Sequence, residues 1–485
     1  MKKLLERYKG LSIQTKATLW FTVSNTIQKG FLFLTVPIYT HLLTQNEYGK
    51  YSIFLSWLEI IEILATFRIG WGGYVVGLSK FEDDRDRYTS SMQCLSVVIT
   101  TAALLIYLAL RGPINTLTKL DTPFILSIFG IVYALPAIQF WMVRKRVELK
   151  YISVFIFSAL SSAAVIGFGT LSAFYFPQKD IAVVVSRLAV QGLIGIALIW
   201  INCHRNFTFF EKTYWKRALT FNVPLIPYYL SMVVLHSSDR IIIGNLEGEA
   251  CAAIYGAAYA IASCMQIFNQ SFTNTIQPWM YKCMRENDTK KVSRIISISM
   301  LIIAILNIML ISLAPELLLI TPSKYREAVW IIPPLAASAV VMYFYQQFVN
   351  VEFYFEESKL IAIASIGAAM LNVFLNYVFI PKFGYFAAGY TTLASYSVFA
   401  VCHYIFMIIV CKKKKYKEKL IDMKQMLLIL VSFFVFAIAL MIGYKFFVIR
   451  YAGLLVTCIL LFCFRNKIKE IFELKKKKKQ EQGNI

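Results

Sequence analysis

The chain is a succession of apolar runs separated by short polar connections. Each run is near or above the roughly 20 residues that an α-helix needs to cross a bilayer. Hydrophobic residues make up 58% of the 485 residues and charged residues only 16%, so no stretch is left for a soluble catalytic domain. Because a backbone in lipid must form its hydrogen bonds within its own segment, the runs predict an all-α polytopic membrane protein.

The apolar runs predict about 14 transmembrane helices. Their approximate bounds are 17–40, 50–78, 91–110, 123–142, 151–176, 181–201, 218–239, 250–279, 295–315, 327–351, 360–380, 385–411, 425–445 and 448–464. Some runs are too long for an upright helix, so we expect them to tilt or bend. The residues that favour bends are Pro37, Pro224, Pro227, Pro333, Pro334, Gly70, Gly72 and Gly73.

The basic residues are distributed unevenly between the two sides of the predicted membrane. The net charge is +23, from 50 Lys and Arg against 27 Asp and Glu. Of the basic residues, 37 fall on the N-terminus, the even-numbered loops and the C-terminal tail, and ten fall on the opposite side. Cytoplasmic loops collect Lys and Arg, so both termini are predicted to be cytoplasmic. The positive charge therefore indicates topology, and no nucleic-acid partner is expected. The lysine runs 412–415 and 475–479 are interpreted as orientation charges, with binding to anionic lipid as the alternative.

Two pairs of landmarks indicate an internal repeat. Tyr48-Gly49 and Tyr255-Gly256 are 207 residues apart, and the charged loops that end at Lys150 and Lys359 are 209 apart. This spacing predicts two six-helix bundles related by a pseudo-twofold axis along the membrane normal, followed by two extra helices. The predicted domains are a cytoplasmic N-terminus (1–16), an N-terminal bundle (17–201), a cytoplasmic linker (202–217), a C-terminal bundle (218–411), a basic linker with helices 13 and 14 (412–464) and a basic cytoplasmic tail (465–485).

The first two predicted spans contain ionisable residues, which are costly in a bilayer and common at functional sites. Lys29 lies about 18 Å into the first span and Glu59 about 14 Å into the second, at 1.5 Å per residue. Asn25 shares a helical stripe with Lys29, Gln28 borders that stripe, and Glu62 shares a face with Glu59. One interpretation is an ion pair that only holds two helices together, and the other is a charged, water-filled cavity. Arg68 lies opposite Glu59 around an ideal helix, so we expect it to face elsewhere.

The second half of the chain has polar groups of its own. Asn269 and Gln277 belong to a polar stripe on span eight that predicts a cavity lining. Asp239 and Arg240 end predicted span seven, so we expect them at the outer surface, where they either gate the cavity mouth or anchor the helix at the interface. Asn372 and Asn376 are one turn apart and predict hydrogen bonds between helices.

No enzyme signature occurs in the sequence. The phosphate-binding glycine loop is missing, the nine cysteines form no C-x-x-C pair, and the four histidines have no ligand spacing. The acidic loop Glu82–Asp84 with Asp86 lies among basic residues and is interpreted as a solvated loop rather than a metal site. The prediction is a protein that is not an enzyme, with no catalytic residues, metal or cofactor.

Three segments carry a resemblance to a known family. They are HLLTQNEYGKYS (41–52), SSDRIIIGNLEGEACAAIYGAAYAIA (237–262) and LNVFLNYVFIPKFGYFAAGYTTLASY (371–396). These segments resemble the O-antigen and polysaccharide flippases of the multidrug/oligosaccharidyl-lipid/polysaccharide exporter superfamily. The likeness covers nearly the whole chain, including the span count. One departure is Ala387, where relatives often carry glycine.

The resemblance implies a transporter of the bacterial cytoplasmic membrane that works by alternating access. Its substrate would be an undecaprenyl-diphosphate-linked oligosaccharide, moved from the cytoplasmic to the outer leaflet, with membrane lipid and the glycan polymerase machinery as further partners. The matching basic cavity positions are Lys29 and Arg68, with Arg240 at the rim, and Glu59, Glu62 or Asp239 would carry a coupled ion. The alternatives are a drug/cation antiporter of the same fold, a membrane polymerase or ligase of glycan assembly, and a structural membrane partner without transport.

Overall fold

The computed structural model describes residues 13–286, 288–416, 420–463 and 465, and in these residues it contains helices and no β-strand. The chain forms two compact units, the first ending at Ala253 and the second beginning at Ile254. The helices that begin in the first unit are α1 (Ile13–Leu42), α2 (Gln45–Thr66), α3 (Gly72–Lys80), α4 (Arg85–Ala109), α5 (Arg111–Thr118), α6 (Thr122–Val147), α7 (Tyr151–Tyr175), α8 (Lys179–Cys203), α9 (Lys212–Asn222), α10 (Ile226–Leu246) and α11 (Glu249–Ser263).

The second unit continues the all-helical architecture. Its helices are α12 (Met265–Arg285), α13 (Thr289–Leu318), α14 (Ile332–Tyr354), α15 (Ser358–Phe383), α16 (Ala387–Lys413), α17 (Met423–Ile442) and α18 (Phe447–Cys463). The unit boundary falls inside α11, beyond the predicted linker 202–217, because α10 packs against α2. The two six-helix bundles and their symmetry axis stay a prediction.

The prediction of an all-α, multi-span membrane protein is confirmed. Within the described residues, ten helices are long and apolar enough to cross a membrane, or eleven if the bent pair Ser323–Trp330 and Ile332–Tyr354 is one span. Helices also occupy the other predicted spans, as α1, α2 and the shorter apolar α18. Polar residues lower the hydrophobicity of α1 and α2. The same polar residues make these two helices candidates for a functional site.

Most of the predicted bends occur where glycine or proline interrupts an apolar run. Predicted span two is divided into α2 and α3 by a turn in which Phe67 and Arg68 adopt positive φ values of 51° and 47°. Predicted span seven is divided into α9 and α10 at a 3-10 turn that contains Pro224, and Pro333 and Pro334 open α14 after a bend of 45°. Pro37 is different, since α1 continues through it.

The first unit is held together by close helix contacts at small residues. α6 packs along α8, where a Cβ on Gly195 would lie 2.7 Å from the backbone of Ala134. α2 begins with a capping box in which the Glu47 amide donates to the Thr44 hydroxyl and the Thr44 amide donates to the Glu47 carboxylate. One turn later, Gly49 lies directly against the backbone of Glu249, a contact that leaves no room for a side chain.

The acidic loop before α4 is solvated at Glu82 and Asp83, which are exposed, but its other two carboxylates are bound by neighbouring helices. Asp86 pairs with Arg144 of α6, and Asp84 accepts a hydrogen bond of 2.6 Å from the Tyr214 hydroxyl of α9. Glu148 accepts further bonds of 2.9 Å from Arg144 and Lys150. Burial raises the pKa of the Glu148 carboxyl, but these donors outweigh burial and hold it at about 2. The charges tie three helices together on one side of the unit.

The second unit is built around α14, which is buried along nearly its whole length. α14 packs against α13 and α16, and its Tyr343 hydroxyl donates to Ser299 of α13 at 2.7 Å. The predicted bonds from Asn372 and Asn376 join α15 to α16, since Asn372 donates to Thr392 and Asn376 accepts from Thr391. α17 and α18 pack on α13, so the extra pair is attached to this unit.

The membrane topology can be tested at exposed positions. In a variant without native cysteines, single cysteines replacing Thr116 and Ser323, which are both exposed, are expected to react with an impermeant maleimide added to whole cells. Cysteines replacing Asn206 and Lys414, also exposed, are expected to react only after permeabilisation, because basic loops stay in the cytoplasm. The reverse labelling pattern, or equal labelling of all four, would overturn the assignment of both termini to the cytoplasm.

Candidate functional site

A chain of hydrogen bonds joins α2 to α10 through Glu59. The Ser237 hydroxyl donates to the Glu59 carboxylate at 2.6 Å, and the Arg240 guanidinium donates to the same hydroxyl at 3.0 Å. Ser237 and Arg240 are buried, whereas the Glu59 side chain is exposed. One serine therefore connects an accessible carboxylate to a buried cation.

The predicted position of Asp239 and Arg240 at the end of a span is wrong. α10 continues to Leu246, and the two residues lie in its interior with exposures of 1% and 8%. The run Ser237–Arg240 looks like a helix end because it is polar. Ser237 and Arg240 are instead hydrogen-bonded inside the unit, and the helix continues through the apolar residues Ile241–Ile243.

Glu62 lies one turn beyond Glu59 on α2 and has different partners. Its carboxylate accepts a hydrogen bond of 2.9 Å from the Gln139 amide of α6, and it interacts with the positive charge of Arg68. The Thr66 hydroxyl binds the Glu62 carbonyl, and the Arg68 amide donates to Thr66 at 3.1 Å. The end of α2 is thus shaped so that Arg68 turns back toward Glu62.

Arg68 is held by aromatic rings at the turn that ends α2. Its guanidinium carbon lies 4.9 Å from the ring centroid of Trp71 and 5.3 Å from that of Tyr229. Its buried Nε has no hydrogen-bond partner among the described residues. An ideal helical wheel does not describe Arg68, because α2 ends at Thr66 and Arg68 adopts a left-handed conformation.

We call this set of side chains the polar cluster. Its members are Glu59, Glu62, Arg68, Gln139, Ser237 and Arg240. Two carboxylates and two guanidinium groups on membrane-spanning elements can bind an anion, take up a cation or exchange a proton. Sequence reasoning missed Ser237 as the connecting group and Gln139 altogether, because neither is unusual in its own segment.

The stripe on α1 is described only in part. The side chain of Lys29 lies outside the described residues, and Gln28 is half-buried. Asn25 is exposed and accepts a bond of 3.4 Å from the Arg146 guanidinium, which also lies over the ring of Phe21. The sequence assigned Arg146 to a loop as an orientation charge. The packing of α6 brings it to the polar stripe instead.

The predicted stripe on span eight separates into two faces of α12. Asn269 is buried and donates to the carbonyl oxygen of Ala339 on α14 at 2.8 Å, so in the second unit it ties two helices together. Gln270 and Asn274 are exposed and bonded to each other at 2.7 Å, and Gln277 donates to the Tyr281 hydroxyl at 2.9 Å. The accessible polar face is therefore carried by Gln270, Asn274 and Gln277.

A buried ionisable pair in the second unit was not predicted. His403 of α16 and Glu352 of α14 are fully buried, with 2.8 Å between Nδ1 and Oε1. The imidazole is surrounded by Phe399, Tyr345 and Phe406. In the sequence, Glu352 lies just past the predicted end of span ten and His403 has no ligand spacing, so nothing local marks the pair.

Comparison with solved structures identifies the fold. The chain is similar to the lipid II flippase MurJ in an inward closed conformation, with a TM-score of 0.60 and 13% identity over 93% of this chain and 100% of that one. It is also similar to an inward-facing multidrug resistance MATE transporter of the MOP superfamily, with a TM-score of 0.55 and 14% identity over 80% and 99% of the two chains. A third match is a MOP superfamily transporter from Pyrococcus furiosus, with a TM-score of 0.54 and 15% identity over 83% and 97%.

These identities are low, so the matches show a shared fold, that of the MOP superfamily. A comparison with curated proteins finds no match. A family model described as "Polysaccharide biosynthesis protein" matches residues 15–284, more than half of the chain and including every member of the polar cluster. The chain is therefore a multi-pass membrane protein that belongs to the polysaccharide biosynthesis protein family and has the fold of MOP superfamily transporters.

Proposed function

We propose that this protein is a flippase for undecaprenyl-diphosphate-linked oligosaccharide repeat units. It moves them from the cytoplasmic to the outer leaflet of the bacterial cytoplasmic membrane by alternating access, and it supplies the machinery that polymerises O-antigen or another surface polysaccharide. Both termini lie in the cytoplasm. The family match and the fold support a transporter of lipid-linked glycans, and the lipid carrier and direction are our inference.

The polar cluster is the observation that carries this proposal. A diphosphate head group cannot cross hydrocarbon without a polar path, and guanidinium groups bind phosphate with well-defined geometry. Arg68 is prepared for such a ligand, because aromatic rings orient it while its Nε lacks a protein partner among the described residues. Glu62 balances the charge of Arg68 when substrate is absent.

The remaining residues have roles that follow from their surroundings. Lys29 with Asn25 and Gln28 of α1 contacts the anionic substrate, and Gln277 contacts sugar hydroxyls. Glu59 and Glu62 take up the coupled proton or cation, with Asp239 and Arg240 as gating residues. Arg240 reaches Glu59 through Ser237, so protonation of Glu59 would weaken that bond chain and free the helix α10 to move. The buried Asn269 amide acts through the packing of α12 on α14.

Arg68 provides the direct test. Arg68→Ala is expected to reduce transport about 10- to 100-fold, because it removes one or two charge-assisted hydrogen bonds to phosphate. Arg68→Lys should recover only part of it, because an ammonium group cannot stack on Trp71 and Tyr229 in the same way. The measurement is surface polysaccharide in a flippase-null strain, together with translocation of a fluorescent undecaprenyl-diphosphate glycan in proteoliposomes.

The matched control is Arg205→Ala, which removes an exposed arginine from the loop before α9 and should leave display unchanged. Protein amount in the membrane is measured for every variant. Full display by Arg68→Ala at normal abundance would contradict the role of the polar cluster. Efflux of cationic dyes by the wild-type protein, without translocation of the lipid-linked glycan, would favour a drug/cation antiporter instead.

A further inference from the structure

A second polar site lies outside the polar cluster, between α3 and α9. These two helices border a cavity of about 700 Å³. Four cations line it: Lys80 at the end of α3, and Lys212, Lys216 and Arg217 on α9. The apolar part of its wall includes Val76, Phe81 and Phe221, and none of the described residues that line it is acidic. We call it the cation pocket.

The cations of the pocket are unpaired, unlike their neighbours. Within the described part of the chain, Lys80, Lys212, Lys216 and Arg217 make no ion pair. Two nearby carboxylates are already bound, Glu82 by Arg85 and Glu211 by Arg87. Four like charges around one cavity repel one another, and a bound anion would relieve that repulsion.

The pocket is a fixed feature of the unit. An aromatic core of Tyr74, Tyr88, Phe140 and Tyr214 packs beneath it and buries the opposite face of α9. At Gly73, a Cβ would lie 2.9 Å from both the Phe221 ring and the Asn222 amide. The two helices therefore approach so closely that packing fixes the backbone positions from which the basic side chains extend.

The surroundings of the pocket indicate a lipid rather than a soluble anion. Val76 and Phe221 line the cavity and are also 46% and 43% exposed, as is Val223 after the end of α9 at 43%. Exposed apolar residues beside unpaired lysines are typical of a surface at the membrane interface, where acyl chains and phosphate groups meet. By the distribution of positive charge, this interface is the cytoplasmic one.

We infer that the cation pocket binds the head group of a lipid that carries two phosphates. Four cations match the charge of two phosphates better than that of a single phosphodiester. The volume of the cation pocket lies in the range of ligand cavities. The two sources of this chemistry are the diphosphate of the carrier lipid and the paired phosphates of cardiolipin. The carrier assignment rests on the proposed function, whereas the cardiolipin assignment does not.

A position for substrate loading follows if the carrier lipid is the occupant. α3 has nine residues and so is about 14 Å long. Its first turn follows Trp71, which contacts Arg68 of the polar cluster, and its last residue is Lys80 of the pocket. A diphosphate captured at the cation pocket would thus lie one short helix away from the next basic group on its path.

The test compares the full-length protein with the variant Lys80→Gln, Lys212→Gln, Lys216→Gln and Arg217→Gln. Binding is measured to phosphatidylcholine nanodiscs containing cardiolipin, undecaprenyl diphosphate, or phosphatidylglycerol at equal charge. We expect the variant to lose about 100-fold or more in affinity for the two-phosphate lipids. The matched control, Lys324→Gln with Arg326→Gln and Lys382→Gln, removes exposed basic residues elsewhere and should keep wild-type affinity.

Each outcome decides the inference. Unchanged binding by the variant, with its melting temperature preserved, would overturn it, and so would equally tight binding of phosphatidylglycerol, which indicates only diffuse attraction. Preference for undecaprenyl diphosphate supports a loading site, and preference for cardiolipin supports a structural lipid site. Translocation of the fluorescent glycan is measured separately in proteoliposomes, so a protein that binds cardiolipin without flipping glycans would contradict the proposed function and leave the inference about the pocket intact.

Discussion

His403→Leu is expected to lower the free energy of unfolding by about 3–5 kcal/mol, because it leaves the Glu352 carboxylate buried without its partner. Both side chains are fully buried, and the imidazole packs against the rings of Tyr345 and Phe399. Glu352→Leu should lower the free energy of unfolding by less, since burying a neutral imidazole is less unfavourable than burying a carboxylate. Unfolding in mixed detergent micelles, monitored by tryptophan fluorescence, measures the differences in free energy of unfolding between the variants.

The double variant separates this explanation from simple loss of packing. Glu352→Leu with His403→Leu is expected to be about as stable as the wild type, or more so, because both polar groups leave together. Glu357→Gln is the matched control, as it breaks a solvent-accessible pair with Lys413 and should have little effect. If the two single losses simply add in the double variant, the pair does not interact in the way proposed.

Lys29→Ala is expected to abolish polysaccharide display in a flippase-null strain while the protein still inserts. The reason is its position about midway along α1, beside Asn25 and Gln28, where an ammonium group can meet a diphosphate. Lys29→Arg should keep partial activity because the charge remains. Display of polysaccharide and protein amount in the membrane are measured together.

Two further variants serve as the control and as a test that could contradict this expectation. Lys382→Ala removes an exposed lysine at the end of α15 and should have no effect. Lys29→Ala with Glu59→Gln should not restore transport, since the Glu59 carboxylate already has a partner in Ser237. Wild-type display by Lys29→Ala would show that Lys29 is not a required substrate contact. Recovery of display in the double variant would mean that Lys29 and Glu59 form a pair with only a structural role.

Sequence reasoning located the charged residues of the site but not the side chains that surround them. Glu59, Glu62, Arg68 and Arg240 were all identified because ionisable groups within apolar runs are rare. Arg68 was expected to face away from Glu59, since an ideal helix was continued past Thr66. Arg240 was assigned to a helix end because its neighbours are polar. The ring contacts of Arg68 and the burial of Arg240 could not be predicted from one segment without the helices that pack against it.

The sequence by itself determined the all-helical membrane fold, the approximate spans and most of their bends. These properties depend on consecutive residues: run length sets what can cross a bilayer, and proline or glycine sets where a helix is interrupted. Only the tertiary structure decided which polar groups meet. Ser237 and Glu59 are 178 residues apart, and His403 and Glu352 are 51 apart. Such pairs form because burial in packed helices leaves a polar group no water to bind, so that its partner is whatever side chain another helix brings within reach.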